Sequence, residues 1–150
     1  VINSLYIKAD VLEKHNLKLE AKYRAMRERE VMVESQFMDD AEYAVVAYGT
    51  TARIALTAVR KARAEDIRVG LIRPITLWPF PEQPLHDLAA QKHVKAFLDV
   101  EMSIDGQLID DVRLSVEGQK PIAYLGHAGG VMPTVEEMVE SARKVLKEVK

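Results

Sequence analysis

Ala44-Val45-Val46-Ala47-Tyr48 is an almost unbroken apolar run of strand length, and Gly49 ends it. Beyond it, Ile54, Ala55, Ala58, Val59 and Ala62 recur at helical spacing, with Thr50 and Thr51 placed to cap that helix through their hydroxyls. A second apolar run, Ile67 to Ile72, follows the polar break at Glu65-Asp66. Two buried strands joined by a helix predict a βαβ unit, and such a unit requires a parallel sheet with a right-handed crossover. The small residues on the helix face let it sit close to the sheet.

The same alternation continues. Arg73 to Pro81 carries three prolines, which forbids a helix there, and Trp78 and Phe80 are expected to plug this loop onto the core. Pro84 falls in the first turn of the next helix, whose buried side is Leu85, Leu88 and Ala89. Val94 to Val100 reads as a third strand. Asp105 is placed to cap a helix carrying Leu108, Ile109, Val112 and Val116, which Gly118 stops. Pro121 to Leu125 reads as a fourth strand and Gly126 to Gly130 as a turn. Thr134 and Glu137 form a capping box ahead of a stripe of Val135, Met138, Val139, Ala142, Val145, Leu146 and Val149. The order predicts an α/β fold: a three-layer α/β/α sandwich around a mostly parallel sheet of four to five strands. The fifth, an edge strand, is expected near Val31-Met32-Val33 or Ser115-Val116.

Residues 1–36 differ from 37–150. They are dense in charge, and Leu5, Leu12, Leu19 and Met26 fall at steps of seven with Tyr23 beside them. This predicts a long connector helix with a narrow apolar stripe that packs on its own domain or on another subunit, a second copy included.

Composition narrows the function classes. The 150 residues make one domain, and a net charge of −2 gives no basic field for nucleic acid. There are no cysteines, which excludes disulfides and thiolate ligands for zinc or iron–sulfur clusters and is compatible with a reducing, cytoplasmic setting. No apolar run approaches the roughly 20 residues of a membrane span. The sequence opens on Val1 within what reads as connected sequence, so a piece of a longer polypeptide is expected.

In parallel sheets ligands meet the carboxyl ends of the strands. The candidates there are Gly49, Thr50 and Thr51, then Arg73, then Glu101, Gly106 and Gln107, then Gly129 and Gly130. Gly49-Thr50-Thr51 and Gly129-Gly130 each precede a helix, as an anion site does, but plain turn-and-cap chemistry explains both. Glu101 and Asp105 offer an acid and a base; a solvated loop is the competing reading. Asp99 reads as an edge or interface carboxylate paired with a base such as Arg73. His127 is a lone loop histidine, and His15, His86 and His93 lack ligand spacing. Ser103, Ser115 and Ser141 lack a nucleophile's context. The residues alone describe an α/β domain with no catalytic constellation and no metal site of its own.

Six strings together carry a resemblance: Ala-Tyr-Gly-Thr-Thr-Ala-Arg at 47–53, Gly-Leu-Ile-Arg-Pro-Ile-Thr-Leu-Trp-Pro-Phe-Pro at 70–81, Val-Glu-Met at 100–102, Gly-Gln at 106–107, Asp-Val-Arg at 111–113, and Gly-Gly-x-x-Pro-Thr at 129–134. The chain resembles the C-terminal part of the α subunit of 2-oxoacid:ferredoxin oxidoreductases, closest to the 2-oxoisovalerate type with the 2-oxoglutarate type next. That domain is similar to the C-terminal domain of transketolase. The resemblance implies a complete enzyme that uses thiamine diphosphate, magnesium, iron–sulfur clusters and coenzyme A, and that converts a 2-oxoacid to an acyl-CoA while reducing ferredoxin. It implies as partners a thiamine-binding β subunit, a γ subunit and a ferredoxin-like δ subunit, with neither nucleic acid nor membrane. It places the thiamine site in other domains, leaving this chain an assembly role without activity alone. Two stretches depart from the family pattern: Ser103 stands where asparagine is expected, and Gly126-His127-Ala128 where Gly-Arg-Thr is common, so an arginine anion contact is not carried over. The competing readings are a freestanding nucleotide- or phosphate-binding module and a purely structural dimerisation domain.

Overall fold

The computed structural model describes residues 5–148, without the side chains of Leu146 and Glu148. A helix, α1 (Ala9–Arg29), leads into strand β1 (Val33–Gln36). There follow β2 (Tyr43–Val46), α2 (Gly49–Ala64), β3 (Val69–Pro74), α3 (Glu82–Ala89), β4 (Ala96–Glu101), α4 (Leu108–Val116), β5 (Ile122–Gly126) and α5 (Val135–Glu148). The strands lie in the order β1-β3-β2-β4-β5. β2, β3, β4 and β5 are parallel, with Val45 opposite Leu71 on one side and Leu98 on the other, and Asp99 opposite Tyr124.

The connector helix is shorter than 1–36, because Val33 to Gln36 pair antiparallel with β3 instead. Without that strand the outer edge of β3 would present a row of unpaired amides and carbonyls. The edge strand therefore follows Val31-Met32; Ser115-Val116 lies in α4.

The central strands β2, β3 and β4 bury both faces, as their apolar runs require, while β1 and β5 at the edges are half-buried. Tyr43, Val45, Leu71 and Leu98 pack under α2 and α5, while Ala44, Val46, Ile72 and Phe97 pack under α3 and α4. Ala52, Ala55, Ala58 and Ala62 on α2 are nearly inaccessible. The capping box of α5 forms: the Glu137 amide donates to the Thr134 hydroxyl at 3.2 Å, and the Thr134 amide to the Glu137 carboxylate at 2.7 Å. Met138, Val139, Ala142 and Val145 of its stripe are buried; the Leu146 side chain and Val149 lie outside the described residues.

Two expected helix caps are corrected. The α2 helix opens at Gly49, φ +56°, with Tyr48 as its capping residue, so Thr50 and Thr51 already lie inside the first turn. Asp105 is exposed in a loop ahead of α4, which starts at Leu108.

Trp78 also departs from expectation. It is 52% exposed, whereas Phe80 is 8% exposed and shares the core with Leu85. The indole stands edge-on against Tyr23 of α1, centroids 5.4 Å apart, and so braces the helix rather than the sheet. The α1 stripe meets this domain only in part: no residue of α1 is fully buried, Leu12 is exposed, Leu19 and Met26 are half-buried, and Tyr23 touches Trp78. Of the two expected covers for the Leu5, Leu12, Leu19 and Met26 stripe, its own domain or another subunit, the domain supplies only this partial one.

Candidate functional site

The topology singles out one place. β2 feeds α2 on one face of the sheet, and its neighbour β4 feeds α4 on the other. Loops that leave adjacent parallel strands in opposite directions open a crevice at their carboxyl ends. Gly49 to Thr51 and Glu101 to Gln107 meet at this point, and Gly126 to Gly130 follows from the next strand. The three loops thus lie side by side on one edge. Gly49, Thr50, Gln107, Gly129 and Gly130 are exposed, Gly106 is half-buried, and Thr51 is buried.

Hydrogen bonds knit two of these loops together. The His127 amide donates to the Glu101 carbonyl at 3.2 Å. The Tyr124 hydroxyl donates to the Ser103 carbonyl at 2.6 Å. A Cβ on Gly126 would lie 2.2 Å from that Ser103 carbonyl and one on Gly106 would lie 2.9 Å from a Glu101 oxygen, so both positions need glycine for room. This close approach has no sequence motif of its own and was not legible.

Glu101 is 1% exposed, yet its carboxylate is fully engaged. It accepts the Gln107 amide at 2.9 and 3.0 Å and the Ile109 amide at 3.0 Å. It therefore supplies the cap that Asp105 does not, and a negative charge suits the positive end of α4. The acid–base pairing of Glu101 with Asp105 is not formed. A carboxylate held by two backbone amides, one of them shared between both its oxygens, is a structural anchor.

Asp99 sits two residues earlier on the same face of β4. It is completely buried, and neither oxygen has a hydrogen-bond partner. Burial, and then the Glu101 carboxylate, push its pKa up to about 8, so at neutral pH it is largely the uncharged acid. The expected pairing with Arg73 is corrected: Arg73 faces Glu34 across the β1–β3 pair at 3.1 Å, two strands away from β4. Burial followed by the Glu101 and Asp99 carboxyls also raises the Tyr48 and Tyr124 phenols. These two tyrosines flank the pair and were not singled out from sequence.

His127 brings its Nε2 to 3.3 Å from a Glu137 carboxylate oxygen, without hydrogen-bond geometry. Among the described residues no group of three or more His, Asp or Glu side chains is arranged to hold a metal ion. Nor is any helix among them long and apolar enough to cross a membrane. An open cleft of about 450 Å³ lies between Arg27 of α1, the Trp78–Pro81 loop, the start of α3 and Asp111.

Comparison with known proteins fits this architecture. Residues 41–138 match the family model of the pyruvate:ferredoxin oxidoreductase core domain II. The chain is 39% identical over 145 residues to ketoisovalerate oxidoreductase subunit VorB of Methanothermobacter thermautotrophicus, covering 97% of this chain and 40% of that one. It is 34% identical over 113 residues to 2-oxoglutarate synthase subunit KorA of Methanothermobacter marburgensis, covering 75% of this chain and 29% of that one. It thus spans less than half the length of these relatives. Among solved structures, the 2-oxoglutarate:ferredoxin oxidoreductase of Magnetococcus marinus superposes with a TM-score of 0.80 at 20% identity, over 94% of this chain and 24% of that one. A split-gene transketolase, described as an inactive beta4 tetramer, superposes with a TM-score of 0.65 at 19% identity, over 79% of this chain and 42% of that one. These two likenesses concern the fold. On the family match over 41–138, the chain belongs to the pyruvate:ferredoxin oxidoreductase core domain II family.

Proposed function

We propose that this chain is the core-domain-II part of the α subunit of a 2-oxoacid:ferredoxin oxidoreductase, with a branched-chain 2-oxoacid such as ketoisovalerate as substrate. The reaction is 2-oxoacid plus coenzyme A and oxidised ferredoxin to acyl-CoA, carbon dioxide and reduced ferredoxin. The observation that carries the reading is the 39% identity to a ketoisovalerate oxidoreductase subunit along 97% of the chain.

The chain's own part is assembly. Its strand-end polar groups are spent on holding loops to each other: Glu101 on α4, Tyr124 on Ser103. Thiamine diphosphate, magnesium, iron–sulfur clusters and coenzyme A belong to the other domains and subunits; the chain offers no cysteine for a cluster. Residues 37–150 form the domain, and the connector 1–36 lends it β1 as an edge strand. The exposed Gly49-Thr50, Gly106-Gln107 and Gly129-Gly130 form the edge that a thiamine-binding neighbour covers. The complex works in the cytoplasm and passes electrons to ferredoxin.

The test is coenzyme-A-dependent reduction of a viologen dye by the complex purified with its co-encoded subunits. Turnover is expected to favour 3-methyl-2-oxobutanoate over 2-oxoglutarate. A preference for 2-oxoglutarate would move the chain to the other type within the family.

A further inference from the structure

Asp99 and Glu101 alternate with Leu98 and Val100 along β4, so both carboxyls leave the sheet on the side of α3 and α4. Neither Asp99 oxygen meets a donor. The polar group beside it is the Glu101 carboxylate. Two carboxylates can bond only with a proton between them. The Gln107 and Ile109 amides favour the ionised form of Glu101, and no donor favours that of Asp99. The proton therefore sits on Asp99, which donates to Glu101.

The 102–107 loop lies over this pair. Tyr124, opposite Asp99 on β5, donates to the Ser103 carbonyl at 2.6 Å. At Gly106 a Cβ would lie 2.9 Å from both the Tyr124 ring and a Glu101 oxygen, so the loop leaves no room for water there. The strand neighbours of Asp99, Val46 and Tyr124, are fixed in the sheet, which leaves the loop as the cover that can move.

The charges around the pair do not relieve it. Tyr48 and Tyr124 have phenols that burial raises further, so they stay neutral. α4 offers Asp110, Asp111 and Arg113, and Arg113 is exposed and pairs with Asp110 at 3.2 Å. α3 adds Glu82 and the loop adds Asp105, both exposed acids. His127 donates its amide to the Glu101 carbonyl but turns its ring to Glu137 of α5. An ionised Asp99 would face Glu101 with no cation paired to it among the described residues.

We infer that Asp99 and Glu101 form a proton-held latch: the Asp99 proton keeps the 102–107 loop on the strand end, and its loss lets the loop lift and open the edge that carries Gly106 and Gln107. Burial, and then Glu101, push Asp99 up to about 8 while the loop is closed. The closed loop thus holds a proton that the lifted loop releases. Lifting becomes easier as pH rises from about 4 to about 8, and no easier above.

The experiment is amide hydrogen exchange of the full-length chain from pH 5.5 to pH 9, corrected for the intrinsic exchange rate at each pH. Protection of the Gln107 and Ile109 amides is expected to fall by about tenfold per pH unit up to about pH 8 and then level off. Asp99→Asn, whose amide donates to Glu101 without titrating, should give a flat profile. His127→Gln should keep the parent's slope. The amides of Val45 and Leu71 should exchange more slowly than the loop's, as a local opening requires. A flat parent profile overturns the latch, and so does an Asp99→Asn profile as steep as the parent's or a flat His127→Gln profile. Loop and sheet amides exchanging at one rate would also overturn it, since the release would then be unfolding of the whole domain. Should Asp99→Asn fail to fold, the carboxyl carbon resonance of Asp99 in the parent decides: it must follow the same pH profile as the loop, and a carboxylate signal already present at pH 5.5 overturns the latch.

Discussion

The Glu101 carboxylate, at the end of β4, accepts the Ile109 amide of α4 at 3.0 Å and thereby caps a helix that begins seven residues later. The same side chain takes the Gln107 amide, so one buried anion fixes the whole 102–107 loop against the strand end. Replacing it should therefore cost more than an exposed cap does. Glu101→Gln keeps the shape but loses the charge and turns one acceptor into a donor. It is expected to lower stability by about 1–3 kcal/mol in urea denaturation. Asp105→Asn, in the exposed loop, should change it by less than about 0.5 kcal/mol.

Asp99 gives a pH dependence whose sign can be stated. Its pKa is raised from 3.8 to about 8 in the folded chain. The native state then holds a proton that the unfolded state releases, so this group makes stability fall as pH rises from about 4 to about 8, with no further change above. Asp99→Asn cannot ionise. Melting temperature measured between pH 5 and pH 9 should fall more steeply for the parent than for the variant. Parallel curves would mean that Asp99 is charged throughout or solvated.

Trp78 and Phe80 share a proline-rich loop but differ in burial, at 52% and 8% exposed. Phe80→Ala should cost about 3–5 kcal/mol, in the range of a buried aromatic. Trp78→Ala should cost about 1 kcal/mol or less, since its principal ring contact is Tyr23 on a helix with no buried residue. The native fluorescence of this sole tryptophan should be quenched readily by iodide.

Two glycines at the same sheet edge should respond to alanine for different reasons. A Cβ at Gly126 meets the Ser103 carbonyl at 2.2 Å and the Tyr124 ring at 2.5 Å, so Gly126→Ala must move the loop off the strand end. A Cβ at Gly49 meets nothing within 4 Å, and only its φ of +56° opposes substitution. Gly49→Ala should cost about 1 kcal/mol and Gly126→Ala distinctly more. Chemical denaturation of the two variants ranks them.

Much of the fold was readable because its signals are local. The Thr134–Glu137 capping box spans three residues, and the run from Ala44 to Tyr48 is apolar enough to need cover on both faces. The order of strands and helices followed from such runs, and parallel pairing then placed the three loops on one edge. What stayed illegible depends on residues far apart in sequence. The cap of α4 comes from a side chain on a strand, so the nearer Asp105 looked like the better candidate. Asp99 looked like one half of an ion pair because nothing in a sequence says that Arg73 will be two strands away. A loop of prolines and aromatics announces that it is not a helix, but not which ring turns inward. The α1 stripe was visible; that the chain would leave the helix at Arg29 and pair Val33 to Gln36 with β3 was not.

The central claim is that the domain holds an oxidoreductase together and performs no chemistry alone. The most direct measurement compares the co-encoded subunits purified with the full-length chain and with the same chain lacking residues 37–150, by sedimentation velocity and by 2-oxoacid-dependent dye reduction. The expected result is a smaller particle without turnover when those residues are missing, and no turnover by the isolated domain supplied with thiamine diphosphate, magnesium and coenzyme A. Full-size particles and undiminished turnover without residues 37–150, or turnover by the isolated domain, would contradict it.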